Sequence, residues 1–356
     1  MYEPTYKLER KVRYGSESAK KEIKRRQGNY IDIGLKGINN EVILMVKTKN
    51  ISEMLRYILN NIRLVDIGKS VEKSVILLDS YSSATIEGAR TTVARVKEII
   101  NNKKYNLNKS EKMVLNSIKA CNFAYENKID IENIRYVFDT LTNGVCENES
   151  VKGDYFRNGD VFVGNEYKII HTPCNVEDIQ ARMLELFNWL DKSTLNPILK
   201  SCIAHFYIVY IHPFCDGNGR LARLFNVSYL VNNDYTGFRK VSLSDSINSN
   251  IQDYYLKLEE SEHNYSGNLD ITPFLEYMLE MLCDSIDNTL QKYIKLSSVE
   301  LSLVNKVIKN NEITVKKASI IAGKSENETR LILNKLSDMG YFSKTRIGNK
   351  NIYRRL

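Results

Sequence analysis

The sequence predicts a mainly helical protein, with a β-hairpin beside a glycine-rich loop and a winged helix-turn-helix unit at its C-terminus. Three observations carry this. Apolar residues recur at three- and four-residue spacing through most of the chain. Proline is scarce, five residues in 356, so little interrupts a helix. The last sixty residues alternate caps and turn signals in the order helix, helix, helix, hairpin. The length exceeds what one core usually holds. Three parts are expected: 1–110, 111–290 and 291–356.

Residues 1–50 give the weakest signals. Residues 16–27 read as a charged helix, and 30–35 and 41–47 have the composition of a small hairpin. From 51 to 101 the spacing of Leu55, Ile58, Leu59 and Ile62 predicts helix. Residues 109–127, 133–142, 176–192 and 197–211 read likewise, with Asn196-Pro197 starting the last of these. One stretch breaks the pattern. Val161, Phe162, Val163, Gly164 and Asn165 lead into Lys168-Ile169-Ile170, β-rich around a Gly-Asn turn, which reads as a hairpin. At the C-terminal end, a helix over 299–310 precedes a short one over 315–322 that Gly323 ends. Ser325 caps a third helix, 326–339, and Glu328 completes a capping box. Gly340 stops it, and 341–354 forms a hairpin turning at Gly348-Asn349.

Charge is unevenly spread. The formal net charge is +8. Residues 297–356 hold twelve Lys/Arg against five acids, a net +7, so the basicity belongs to the C-terminal unit. No twenty-residue apolar run exists, which argues against a membrane partner. The charged start, residues 1–12, lacks the apolar segment of a secretion signal, so a cytoplasmic location is expected. Six cysteines lie singly with no C-x-x-C pair, and reduced thiols are expected.

The chemistry concentrates in His212-Pro213-Phe214-Cys215-Asp216-Gly217-Asn218-Gly219-Arg220-Leu221-Ala222-Arg223. A helix ends at His212-Pro213, and a new one opens after the Gly-Asn-Gly loop. Free N–H groups and the helix dipole attract anions there, and glycines let a phosphate approach the backbone. Arg220 and Arg223, three residues apart, can clamp further phosphate oxygens. Asp216 is a hard oxygen ligand suited to Mg²⁺. His212 can take a proton from an attacking hydroxyl. Phe214 would anchor the loop. A Gly-Asn-Gly by itself is more often an ordinary loop; the whole set within twelve residues is not. The ordinary P-loop is absent: before Gly68-Lys69-Ser70 and Gly323-Lys324-Ser325, the required earlier glycine is Arg63 and Ala318.

This string resembles the Fic family, whose pattern H-x-F-x-D/E-G-N-G-R-x-x-R is matched in full. The resemblance covers roughly residues 50–290. It implies a helical Fic-type core with a hairpin flap and transfer of AMP from Mg·ATP to a Ser, Thr or Tyr hydroxyl, on a target protein or on the chain itself. Carried over, His212 is the general base and Phe214 is structural. Asp216 holds Mg²⁺. Gly217, Asn218 and Gly219 receive the α- and β-phosphates, and Arg220 and Arg223 the distal ones. The hairpin, with Val161, Phe162, Val163 and Gly164, becomes a flap for an extended target segment. Tyr254-Tyr255 resembles a tyrosine pair near the adenine site; two helix tyrosines packed in a core is the competing reading. The family leaves the position of Cys215 variable, which argues against a nucleophilic role.

A second string, Ser83-Ala84-Thr85-Ile86-Glu87-Gly88, matches the family's inhibitory pattern S/T-x-x-x-E-G/N. Glu87 would pair with Arg223 and take the place of the γ-phosphate. Two rival functions stay open: a nucleotide-sensing DNA-binding regulator, and an enzyme that removes AMP from modified proteins. The basic unit at 297–356 likewise fits either DNA or a dimerisation or target-docking role.

Overall fold

The computed structural model describes residues 2–67, 71–102, 106–165, 168–292, 296–348 and 350–355. Two short helices, α1 (Thr5–Arg13) and α2 (Glu17–Gln27), lead into the antiparallel strands β1 (Tyr30–Lys36) and β2 (Val42–Val46). The Ser16 side chain accepts from Ala19 N and so caps α2. The helix expected over 51–101 is three helices: α3 (Lys49–Ile67), α4 (Glu72–Ile86) and α5 (Val93–Asn101). The break between α4 and α5 has a local cause. Gly88 adopts φ +83°, its N–H donates to Thr85 O, and Ala89 N donates to Ala84 O. This left-handed glycine cap ends α4 and leaves Glu87 at its last turn.

The central helices follow the sequence reading closely. These are α6 (Lys109–Glu126), α7 (Ile134–Thr142), α8 (Val176–Lys192), α9 (Pro197–Ile211) and α10 (Asn218–Val231). Asn108 and Glu111 form a capping box on α6, and Asn196 caps α9 ahead of Pro197. Between α7 and α8 lies the hairpin of β3 (Val163–Asn165) and β4 (Lys168–His171). Here the expected turn is corrected. Gly164 and Asn165 belong to β3, where they pair with Ile169 and Lys168 of β4, while Val161 and Phe162 precede the strand. The pairing register shifts between Val163 and Gly164, inside the short strand.

After α10 come α11 (Leu243–Ser249), α12 (Ile251–Glu262), β5 (Asn264–Tyr265), β6 (Asn268–Asp270) and the long α13 (Thr272–Lys292). Strand β6 pairs in parallel with β2, giving a sheet in the order β1-β2-β6-β5. The N-terminal hairpin is thereby joined to the segment after the glycine-rich loop, which no local pattern announced. Tyr2 N reaches Glu276 on α13, and Tyr2 Oη donates to Asp270. Helix α3 packs on α13. One contiguous apolar core, from Ile33 through α9, α10 and α13, takes in these elements. A smaller cluster under α4, α5 and α6 holds Leu77, Ala84, Val96 and Val114.

The C-terminal elements are α14 (Ser298–Asn310), β7 (Glu312–Thr314), α15 (Val315–Ala322), α16 (Glu326–Asp338), β8 (Phe342–Ile347) and β9 (Lys350–Arg355). Ser325 and Glu328 form the expected capping box. The expected hairpin gains β7 as a third strand, in the order β7-β9-β8. Asn349 of its turn, Gly68-Lys69-Ser70, and Glu166-Tyr167 lie outside the described residues. No described helix is long and apolar enough to cross a membrane.

Candidate active site

The glycine-rich loop runs from the end of α9 to the start of α10. Both helices are almost wholly buried, so the loop is held between two fixed rods. His212 closes α9 in a left-handed conformation, φ 55°, costly for a residue with a Cβ. Its N–H donates to Ile208 O, and its carbonyl accepts from Arg157 Nε at 2.9 Å. Nδ1 lies 3.2 Å from Val209 O. A carbonyl can only accept, so Nδ1 carries the proton and Nε2 keeps a lone pair. Burial pushes the His212 pKa down to about 4, aided by the positive charge of Arg157 and opposed by the Val209 carbonyl and Glu87. The ring is therefore a neutral base at ordinary pH.

Phe214 is buried and stacks on Phe138 of α7, ring centroids 4.1 Å apart and planes at 6°. The Asn218 side chain clasps Phe214 from both sides: Oδ1 accepts from Phe214 N (3.1 Å) and Nδ2 donates to Phe214 O (2.9 Å). Asn218 thus fixes the loop with its side chain and leaves only its backbone for a ligand. Gly217 takes φ +78°, where an added Cβ would lie 3.0 Å from Thr142 Cγ2. The first N–H bonded back to the loop is Leu221 N, to Gly217 O at 2.9 Å. The N–H groups of Asn218, Gly219 and Arg220 therefore head the helix without a helical acceptor, the arrangement that binds anions.

An anion already stands there. Glu87, from the end of α4, places Oε1 2.7 Å from Arg223 Nη2. The same oxygen lies 2.5 Å from where a Gly219 Cβ would be, so only glycine admits it. Ser83 completes the grip: its hydroxyl accepts from Arg223 Nε (3.0 Å) and its carbonyl from Nη2 (3.1 Å). Burial alone would raise the Glu87 pKa, but the Arg223 guanidinium outweighs it and holds the carboxyl below the usual glutamate range. The last turn of α4 thus brings Ser83 and Glu87 to the head of α10, and Gly88 ends that helix behind them.

The two arginines differ. Arg223 is held by Glu87 and Ser83. Arg220, also buried, donates to Leu141 O (3.0 Å) and lies 3.5 Å from Asp216 Oδ1, and its Nε has no partner among the described residues. Asp216 accepts from Gly217 N at 2.6 Å and stays about one-third exposed. No group of three or more His, Cys, Asp or Glu side chains able to hold a metal occurs among the described residues. A cation here would share Asp216 with a nucleotide and water, as magnesium commonly does.

Tyr254 and Tyr255 separate. Tyr254 is buried, with its hydroxyl 2.9 Å from His205 Nε2, whereas Tyr255 is half exposed, and their rings sit 5.3 Å apart. Burial raises the pKa of both phenols, with Glu87 and Arg223 acting on them in opposite senses. Phe162, just before β3, is 62% exposed and Ile169 of β4 57%.

Sequence reasoning missed several supports. Buried Arg157 donates to His212 O, Gly159 O and Cys174 O, and its N–H reaches Pro213 O. His171 of β4 bonds Tyr210 O (2.7 Å) and Glu262 (2.7 Å), tying the hairpin base to the end of α9. On α4, Asp79 accepts from Ser244 N and Ser242, and Ser82 donates to Asp245, fixing that helix to α11. None of these sits in a local motif. Only a lone arginine in a Gly/Asp-rich loop hinted at Arg157.

Residues 128–230 match the Fic/DOC family, a span that includes α7 to α10 and the whole string from His212 to Arg223. The chain is 27% identical over 254 residues to a protein adenylyltransferase Fic of Culex quinquefasciatus, covering 68% of this chain and 47% of that protein. It is 27% identical over 239 residues to the protein of the same name in Drosophila melanogaster, covering 65% and 44%. The chain thus spans about half the length of the curated relatives it matches. Among solved structures, a Fic family protein from Desulfovibrio desulfuricans G20 superposes with a TM-score of 0.60 at 21% identity, over 87% of this chain and 96% of that one. Fic-1 of C. elegans gives 0.52 at 21% identity, over 67% and 72%. These likenesses establish a shared helical fold.

Proposed function

We propose, from the premise that residues 128–230 form a Fic domain, that the chain transfers AMP from ATP to a protein hydroxyl and is held back by Glu87. Nε2 of His212 takes the hydroxyl proton as the oxygen bonds the α-phosphorus. The bond to the β-phosphate oxygen breaks, and pyrophosphate leaves. The N–H groups at the head of α10 receive phosphate oxygens, and Arg223 and Arg220 supply positive charge. Asp216 would hold Mg²⁺, which neutralises phosphate charge when bound. The exposed hairpin is the flap on which an extended target segment adds as a strand.

A single observation carries this reading. A carboxylate stands at the glycine-lined helix start, paired to Arg223 at 2.7 Å; on this reading it takes the place of a terminal phosphate. A charge-assisted contact of this kind is worth about 1.5–3 kcal/mol, enough to disfavour a productive nucleotide pose by about tenfold or more. The test is label transfer from α-labelled ATP with Mg²⁺. Glu87→Gly should label itself or a lysate protein, and adding His212→Ala should abolish the label. No label on any protein with Glu87→Gly would refute the reading. Release of AMP from a pre-modified target, dependent on Glu87, would instead favour the hydrolytic alternative.

The C-terminal elements fit a winged helix that faces DNA. The observation favouring DNA is where the cations stand. Lys335 is paired with Glu300 and Arg354 with Glu312, but Lys316, Arg330, Arg346 and Lys350 line one cleft of about 580 Å³ between α15, α16 and the hairpin. Only Glu326 offsets them there. Phosphate contacts of this kind weaken steeply with salt. The full chain should bind duplex DNA with a salt slope that falls when Arg330 and Arg346 are changed to alanine. A chain that dimerises but ignores DNA would favour the docking alternative.

A further inference from the structure

Two thiols outside the proposed chemistry meet at the back of the glycine-rich loop. Cys215 Sγ lies 3.1 Å from Cys146 Sγ, and both cysteines are free. No other pair of sulfurs is in contact among the described residues, and the other four cysteines stand singly. The pair is separated by 69 positions in sequence, so no spacing signalled it. Cys215 lies between Phe214 and Asp216. Cys146 lies on the turn that leaves α7, where its N–H and that of Val145 both donate to Thr142 O. This turn is the back wall of the loop: Leu141 O holds Arg220, and Thr142 Cγ2 abuts Gly217.

We propose that Cys146 and Cys215 are an oxidant-sensitive dithiol, a modification site whose intramolecular disulfide fastens α7 to the phosphate-binding loop. With a peroxide as oxidant, each thiol gives up one proton and one electron. One S–S bond forms, the O–O bond breaks, and two waters leave. Access favours Cys146 as the sulfur oxidised first, since it is partly exposed whereas Cys215 is buried. Cys215 then closes the bond from contact distance. A disulfide is about 2.05 Å long, so the sulfurs must approach by roughly 1 Å. Phe214 is locked by its stack on Phe138 and by Asn218. The part of the displacement that Cys215 takes up is therefore passed to its other neighbour, Asp216. Oxidation thus weakens binding of Mg·ATP, a consequence that rests on the function proposed above, whereas the bond itself does not.

The test uses the full chain, reduced and then exposed to hydrogen peroxide under native conditions, with free thiols alkylated and peptides mapped by mass spectrometry. The expected result is a linked peptide pair joining Cys146 to Cys215, reversed by dithiothreitol, with the other four cysteines still alkylated. Cys146→Ser should remove the link without altering the fold. Calorimetric titration with Mg·ATP should then show several-fold weaker binding to the oxidised wild type, and no change on peroxide treatment of Cys146→Ser. Recovery of both cysteines as free or singly oxidised thiols overturns the proposal. A link that forms without changing ATP affinity overturns its regulatory half. Failure of the reduced protein to bind ATP would count against the nucleotide reading alone, and the peptide map would still decide the thiol pair.

Discussion

The glycine-rich loop and the hairpin of β3 and β4 lie close together and are built on opposite terms. In the loop and the helix start after it, Phe214, Asn218, Arg220 and Arg223 are each nearly or fully buried; Asn218 bonds the Phe214 backbone, Arg220 bonds Leu141 O, and Arg223 bonds Glu87 and Ser83. In the hairpin, Phe162, Ile169 and Ile170 face solvent, and β3 and β4 are three and four residues long. Stabilising charge in a reaction requires groups that do not reorganise, which burial and multiple bonds supply. Docking varied segments requires an open strand edge and apolar side chains with nowhere better to go. Among the described residues the hairpin's base is held by His171, to Tyr210 O and Glu262.

This contrast can be broken at either end, and the largest effect is expected in the loop. Replacing His212 with Ala in the Glu87→Gly background should cut initial label transfer by about 10²–10⁴-fold, the usual worth of a general base, with ATP binding kept. Loss of ATP binding instead would mean that the imidazole shapes the pocket. Next, Glu87→Gly alone should raise the transfer rate by about tenfold or more, as the lost ion pair predicts. Arg157→Met should be smaller, about tenfold at most in kcat with KM for ATP unchanged, because it frees the carbonyls of His212, Gly159 and Cys174 and leaves the imidazole itself in place. The flap should give the smallest response: Phe162→Ser should raise KM for a target several-fold and leave ATP binding untouched. An equal loss of ATP affinity would erase the distinction between the two regions.

Acidity sharpens the same comparison. His212 titrates at about 4 when folded, below its ordinary 6.5, so the unfolded chain takes up its proton first as pH falls. The more protonated unfolded state makes stability decline from about pH 6.5 toward 4. Glu87 works alongside it. Its folded pKa is depressed, so its contribution is present above the ordinary glutamate value and is lost as pH falls through the lower folded one. Urea midpoints at about pH 7 and pH 5 should therefore separate less in His212→Gln than in the wild type, since glutamine removes the titration. Exposed Phe162 and Ile169 carry no charge, so flap variants should follow the wild-type profile.

What was legible in the sequence was local. The caps at Asn196 and Ser325 and the loop from His212 to Arg223 each depend on neighbours within a few residues; the Asn108 cap and the glycine stop after Glu87 are just as local, but the expected helices ran past or began beyond them. The meeting of Glu87 with Arg223 was also legible, but only because two motifs were recognised together. Contacts set by topology were not. The parallel pairing of β2 with β6 joins residues more than two hundred positions apart. The turn placed at Gly164-Asn165 failed because glycine serves a strand irregularity as readily as a turn. Arg157, Asp79 and Cys146 looked like surface or spacer residues because their partners lie on other elements.

The central claim is that Glu87 stands where the terminal phosphate of a nucleotide would. Its most direct test is calorimetric titration of wild type and Glu87→Gly with ADP and with ATP, each with Mg²⁺. The account predicts that the wild type binds the two nucleotides with similar affinity and that Glu87→Gly binds ATP distinctly more tightly than ADP. A wild type that already prefers ATP, or a variant that gains no such preference, would contradict it.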